Sequence, residues 1–120
     1  MIPPLLVFVG GGAGAVLRYL AGRLALLLGQ PPYAATLAVN LVGCLVMGLV
    51  AGWATHRGMA EPPRVFLMTG VLGGFTTFSA FSLDALTLMQ RGAWAGAFAY
   101  AAASLFGSLA GVALGYALVR

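Results

Sequence analysis

The sequence predicts an all-α membrane protein built from four transmembrane helices. Of its 120 residues, 62% are hydrophobic and only 7% are charged, whereas soluble domains are about one half apolar and about one quarter charged. The apolar residues also fall into four long runs, and a bilayer core requires about 20 such residues per helix. Composition and run length together exclude an ordinary soluble domain.

The four predicted helices cover about residues 5–28, 34–55, 65–89 and 93–119. Short segments rich in Gly, Pro and charged residues separate them, which is typical of turns. Because no basic residue precedes the first apolar run, we expect that run to be kept as a membrane helix rather than cleaved as a signal peptide. The chain is then a single transmembrane domain over residues 1–120, with both termini on one side of the membrane.

The few charged residues narrow the function classes. The formal net charge of +4 comes from six arginines against Glu61 and Asp84. The arginines are scattered along the chain, so the basic balance does not indicate a nucleic-acid partner. The single Cys44 excludes an internal disulfide and provides no metal-ligand spacing. Separately, we expect the protein not to be an enzyme.

The first predicted helix carries spaced glycines and a deeply placed cation. Gly10 and Gly14, four residues apart, are typical of close helix packing. Arg18 lies about 20 Å along the helix from Leu5, where burial of the charge in lipid costs about 2.5–3.5 kcal/mol. We expect Arg18 to face a water-filled vestibule or a protein partner, the alternative being that it extends to the interface.

Polar side chains also occur in the second and fourth helices. Asn40, the only Asn in the chain, supplies two donors and an acceptor, so it either joins helices or lines a path. The spacing does not separate these alternatives. In the fourth helix Tyr100, Ser104 and Ser108 recur at steps of four and form a candidate polar track, although each hydroxyl could instead bond its own backbone.

The third helix is expected to break near its middle. Gly73 and Gly74 are adjacent, and the β-branched pair Thr76 and Thr77 follows; both residue types disfavour a helix interior. Backbone groups freed within a membrane need partners from protein or a wet cavity, so such a break indicates a site. Beyond it lie two stripes with a spacing of three, one aromatic and one hydroxyl: Phe75, Phe78, Phe81 and Thr76, Ser79, Ser82.

These groups are rich in hydrogen-bond donors and lack a pair of membrane carboxylates. Proton-coupled transporters and cation channels rely on such carboxylates, and phenyl ring edges are electropositive, so the set suits an anion. Four helices are too few to enclose a pore, which implies a second copy. Arginine counts on the two sides differ by only three against two, so the copies could insert in opposite directions and meet about a twofold axis.

Three segments, in chain order, resemble the signatures of the Fluc fluoride channels, also called CrcB proteins: GGGAGAVLRY, TLAVNLVG and GGFTTFSAFS. The resemblance spans essentially the whole chain, and the third segment is highly specific. It implies a fluoride-selective channel in the cell (inner/cytoplasmic) membrane that lets fluoride leave passively. It also implies assembly as an antiparallel, dual-topology homodimer among membrane lipids.

The resemblance further implies roles for individual residues. Arg18 would stand in the vestibule, and the backbone carbonyls of Gly73 and Thr76 would hold a structural sodium ion on the dimer axis. Ala80 and Asp84 replace a usual Thr and Glu, which leaves the details of the polar track and the role of Asp84 open. The fluoride pathway, to which the hydroxyl pattern adds Ser79, would comprise Asn40, Phe78, Phe81, Ser79, Tyr100, Ser104 and Ser108.

Two other functions fit the size and composition of the chain. A small proton-coupled exporter would need a membrane carboxylate, and the first helix has none. A non-transporting membrane assembly factor would need only the glycine packing ridges. Proton-dependent uphill transport by the purified protein would favour the exporter, and liposomes that show no ion flux would favour the assembly factor. A paralogous partner in place of a homodimer stays open.

Overall fold

The computed structural model describes residues 2–119, and every regular element in this range is helical. Four spans are long and apolar enough to cross a membrane, which confirms the predicted four-helix class. The third span, Glu61–Gln90, is composed of several elements. In chain order the elements are α1 (Ile2–Leu27), α2 (Pro32–His56), α3 (Glu61–Arg64), a π-helix (Val65–Val71), α4 (Leu72–Phe75), α5 (Phe78–Gln90) and α6 (Trp94–Leu118).

Glycine closes the turns after α1 and α5. Gly29 and Gly92 have φ angles of 73° and 79°, in the left-handed region that glycine enters without steric cost. Each turn therefore reverses the chain within a few residues and sets the next helix beside the last. This arrangement puts α2 next to α1 and α6 next to α5.

The third span changes helical geometry twice before its middle. Residues Val65–Val71 form a π-helix, ending where the Leu72 N–H donates to the Leu67 carbonyl five residues earlier. Gly73 and Gly74 remain helical within α4, whereas Thr76 and Thr77 are extended, with ψ angles of 154° and 126°. The helical path is therefore interrupted at the β-branched pair rather than at the glycines.

Helix α5 restarts with a side-chain cap. The Thr77 hydroxyl oxygen accepts a hydrogen bond from the Ala80 N–H at 3.1 Å, which satisfies one of the amide groups that a helix start leaves free. A threonine three residues before a free amide is well suited to this role. The interruption is therefore short and ordered.

Glycines bring the helix backbones into direct contact, as their spacing predicts. In α1, a methyl group at Gly14 would overlap the Val71 carbonyl oxygen, and one at Gly10 would lie 2.8 Å from the Phe66 carbonyl oxygen. On the other side of the bundle, a methyl at Gly48 of α2 would overlap the Val112 carbonyl oxygen of α6. The bundle thus consists of two tight seams, α1 with the third span and α2 with α6.

Much of the apolar surface faces outward. Phe8, Leu27 and Phe78 are 78%, 77% and 78% exposed, whereas the buried apolar side chains within residues 2–119 are few: Val39, Leu72, Ala85, Ala97 and Tyr100. Such a surface is disfavoured in water and suits lipid or another protein.

Candidate functional site

The side chain of Asn40 is hydrogen-bonded to the backbone of Thr77, where the helix of the third span is interrupted. Its Oδ1 accepts a hydrogen bond from the Thr77 N–H at 2.8 Å, and its Nδ2 donates to the Thr77 carbonyl oxygen at 3.0 Å. An asparagine amide offers the same donor and acceptor as a peptide group, so its oxygen replaces the acceptor that a continuous helix would give the Thr77 N–H, and its Nδ2 adds a second bond to the Thr77 carbonyl. Asn40 therefore joins α2 to the third span, and the second hydrogen on Nδ2 is left for another partner.

Asn40 also alters the bonding of the carbonyls upstream. In an α-helix the Thr77 N–H would donate to the Gly73 carbonyl, but it donates to Asn40 instead. The Ala80 N–H, the helical partner of the Thr76 carbonyl, donates to the Thr77 hydroxyl. The Gly73 and Thr76 carbonyls are the two predicted to hold a cation. The amide groups that would bond them in a continuous helix donate to other acceptors.

Arg18 lies against the same interruption. Its Nε donates to the Gly74 carbonyl oxygen at 3.1 Å, and the residue is half-buried. The guanidinium therefore contacts protein in the bundle, and its place in a vestibule stays a prediction. A permanent positive charge stands beside the interruption.

A cavity of about 340 Å³ lies between α2, the interruption and α6. We call it the serine cavity. Within the described chain its lining contains hydroxyls, one amide, one thiol and phenyl rings, but no carboxylate. The polar, sulfur-bearing and aromatic residues that line it are Asn40, Cys44, Thr76, Thr77, Phe78, Phe81, Ser104 and Ser108.

The Ser104 hydroxyl is the most unusual group in this cavity. Ser104 is only 7% exposed, and its Oγ has no hydrogen-bond partner among residues 2–119. Helical serines commonly bond the carbonyl four residues earlier, and a buried polar group without a partner costs about 1–3 kcal/mol. A ligand, a water molecule or a second copy of the chain would supply the missing bond.

Aromatic rings continue from the serine cavity along α5. The ring centroids of Phe78 and Phe81 are 5.4 Å apart, and those of Phe81 and Tyr100 are 5.2 Å apart. Tyr33, which the sequence did not single out, contacts Tyr100 edge-on at 5.6 Å. The hydroxyl of Tyr100 donates to Asp84 Oδ2 at 3.2 Å, so the lone membrane carboxylate of α5 has a defined partner.

A second cavity of about 360 Å³ lies on the other side of the interruption. We call it the arginine cavity. It is bounded by α1, α2 and the start of α5, and its polar edge carries Arg18, Gln30, Thr36 and Thr77. The Thr36 hydroxyl is within 3.4 Å of the Pro32 carbonyl oxygen.

The structure thus gathers five of the seven predicted pathway residues in the serine cavity. Ser79 and Tyr100 do not line either cavity: the exposed Ser79 hydroxyl lies 3.2 Å from the Thr77 hydroxyl, and that of Tyr100 bonds Asp84. Their part in a pathway stays a prediction. Sequence reasoning used Thr77 only as a helix breaker, although two adjacent threonines after a double glycine indicate a polar backbone turn.

Comparison with known proteins identifies the family. The family model described as CrcB-like protein, Camphor Resistance (CrcB), matches residues 5–116.

Three relatives, each named fluoride-specific ion channel FluC, show the extent of the similarity. The protein from Methylobacterium sp. (strain 4-46) is 47% identical over 121 residues, covering 100% of this chain and 98% of the relative. The one from Novosphingobium aromaticivorans is 49% identical over 118 residues, covering 95% and 93%. That from Rhizobium etli (strain ATCC 51251) is 51% identical over 122 residues, covering 100% and 98%. The chain therefore belongs to the CrcB family.

Proposed function

We propose that this protein is a fluoride-selective ion channel, not an enzyme, and that it gives passive fluoride export across the cell (inner/cytoplasmic) membrane. Its relatives carry the name of fluoride-specific channels over the full length of the chain. The observation that carries the proposal is the buried Ser104 hydroxyl, which has no partner among residues 2–119. It lies in a cavity that these residues line with hydroxyl, amide and ring groups and with no carboxylate.

The chemistry of the serine cavity suits a small anion. Fluoride is strongly hydrated, so a narrow path must replace its water with donors at short range. Hydroxyl groups and the spare Asn40 hydrogen provide such donors, and the edges of Phe78 and Phe81 add positive electrostatic potential. The absence of a lining carboxylate removes the repulsion that an anion would otherwise meet.

The working unit is an antiparallel, dual-topology homodimer. One chain leaves the Phe78 ring 78% exposed beside the serine cavity, which suits a wall supplied by a second copy. The nearly even distribution of arginines allows insertion in both directions. Closure about a twofold axis then brings the same surface of both copies together.

A structural sodium ion at the dimer axis also belongs to this proposal. Within the described range no group of three or more His, Cys, Asp or Glu side chains could hold a metal ion, and the ligands proposed here are backbone oxygens. The Gly73 and Thr76 carbonyls fit, because their usual helical donors are directed to Asn40 and Thr77. When bound, sodium supplies positive charge that fixes these carbonyls. A crystal structure determined in sodium that shows no density beside the Gly73 and Thr76 carbonyls would refute the structural sodium ion.

Liposomes containing the purified protein test the function directly. Vesicles loaded with potassium fluoride are opened to potassium by an ionophore, and external fluoride is followed with a selective electrode. We expect rapid fluoride efflux and little chloride efflux in a matched chloride experiment. A trace no faster than that of protein-free vesicles overturns the proposal, as does fluoride movement that requires a proton gradient.

A further inference from the structure

Thr77 stands between the two cavities. Within the described chain it is the one residue that lines both the arginine cavity and the serine cavity. Its backbone is extended, so no turn of helix separates the two spaces at this point. Thr77 is therefore the residue at which the arginine cavity and the serine cavity adjoin.

The hydrogen bonds of Thr77 allow an arrangement in which its hydroxyl hydrogen is available. The backbone N–H and C=O are both bonded to the Asn40 side chain. A hydroxyl oxygen accepts two hydrogen bonds and donates one. The Ala80 N–H occupies one acceptor position at 3.1 Å. The Ser79 hydroxyl lies 3.2 Å away, and either oxygen of this pair can be the donor; when Ser79 donates, the hydrogen of the Thr77 hydroxyl is free for an ion.

We propose that Thr77 is the junction of the anion route: fluoride crosses from the arginine cavity to the serine cavity past its hydroxyl. Two donors serve the ion there, the Thr77 hydroxyl hydrogen and the second hydrogen on Asn40 Nδ2. The inference rests on the proposed channel function and adds a residue that helps determine specificity. Asn40 acts here as a positioning residue as well, because its two bonds to the Thr77 backbone fix where that hydroxyl lies.

Helix capping offers a way to separate a pathway role from a structural one. Ser, Asn and Asp all cap helices at least as well as Thr, so each substitution preserves the start of α5. They differ in what they present to an anion: Ser keeps the hydroxyl donor, Asn supplies amide donors, and Asp places a negative charge in the route. A role limited to capping predicts equal flux for all three variants.

The experiment measures fluoride efflux by the full-length protein in liposomes for Thr77→Ser, Thr77→Asn and Thr77→Asp, with size-exclusion and thermal-unfolding measurements on the same samples. We expect Thr77→Ser to stay within about twofold of the parent and Thr77→Asn within about tenfold, because both keep donors. Thr77→Asp should lose at least about 100-fold, because like charges repel strongly in a narrow, poorly solvated site.

Thr87→Asp is the matched charge control. Thr87 lies on the same helix α5, its hydroxyl bonds the Leu83 carbonyl, and it lines neither cavity. We expect the control to conduct like the parent. A folded Thr77→Asp variant that conducts fluoride like the parent overturns the junction.

A second variant keeps the inference testable if Thr77→Asp does not fold. Thr77→Val retains the shape of threonine without its donor, and we expect a loss of about tenfold against Thr77→Ser; equal flux overturns the junction. If the parent protein does not conduct fluoride, the proposed function itself is refuted. If the parent conducts and the Thr77 variants conduct equally well, only the junction is refuted.

Discussion

Replacing Asn40 by alanine should damage both the stability and the flux of the protein. The substitution removes the hydrogen bonds at 2.8 Å and 3.0 Å that pair the Asn40 amide with the Thr77 backbone. The Thr77 N–H is left without a partner, which costs about 1–3 kcal/mol when the group is fully buried, whereas the Thr77 carbonyl, at the N-cap of α5, keeps the first helical bond. Because Thr77 is only half-buried, we expect the unfolding free energy to fall by about 1–2 kcal/mol.

The assay for Asn40→Ala is denaturant unfolding in mixed micelles, combined with fluoride efflux from liposomes. Asn40→Asp is a useful partner, since it retains the acceptor for the Thr77 N–H but loses the donor to the Thr77 carbonyl. We expect a loss of stability at least as large as that of Asn40→Ala, because a carboxylate oxygen would face the Thr77 carbonyl oxygen, and a large loss of flux from the added charge. An unfolding free energy for Asn40→Ala equal to that of the parent would show that the amide does not hold the interruption.

Three further substitutions probe other parts of the structure. Ser104→Ala removes a buried hydroxyl that has no partner within residues 2–119, so efflux should slow while the unfolding free energy stays equal or rises; a clear loss of stability would contradict this reading. Phe81→Ile removes a ring between Phe78 and Tyr100, and an electrode trace should show slower efflux with a stability loss of about 1–3 kcal/mol; unchanged efflux would place the ring outside the route. Gly14→Ala should destabilise the fold by about 1–3 kcal/mol because its methyl meets the Val71 carbonyl. Gly12→Ala, with open space around it, should instead stabilise the fold by up to about 1 kcal/mol. Similar thermal melts for the two variants would refute the close contact between Gly14 and Val71.

The four spans and their packing were accessible from the sequence for a simple reason. Long apolar runs determine membrane spans through the cost of exposing backbone and polar groups to lipid. Glycine spacing in α1 and α2 determines which faces approach closely, and the contacts of Gly14 and Gly48 follow it. Both signals are local, so one chain is enough to find them.

Pairings between distant residues were less accessible. Asn40 and Thr77 are 37 positions apart, and nothing in the spacing of either segment indicates that an amide would bond both backbone groups of one residue. The same holds for Tyr100 and Asp84, whose bond depends on how α5 and α6 pack. The π-helix Val65–Val71 also left no specific signal, since Gly70 and the β-branched residues that it contains disfavour a helix interior in general and do not indicate a π-helix.

The order of the chain has a consequence for how the protein is made. The donors that support the third span, Arg18 in α1 and Asn40 in α2, precede their acceptors by 56 and 37 positions. During synthesis the ribosome therefore delivers both donor helices to the bilayer before the segment that needs them. The interrupted segment at Thr76 and Thr77 enters the bilayer after both donor helices. Its amide and carbonyl groups therefore spend little time in lipid without a hydrogen bond.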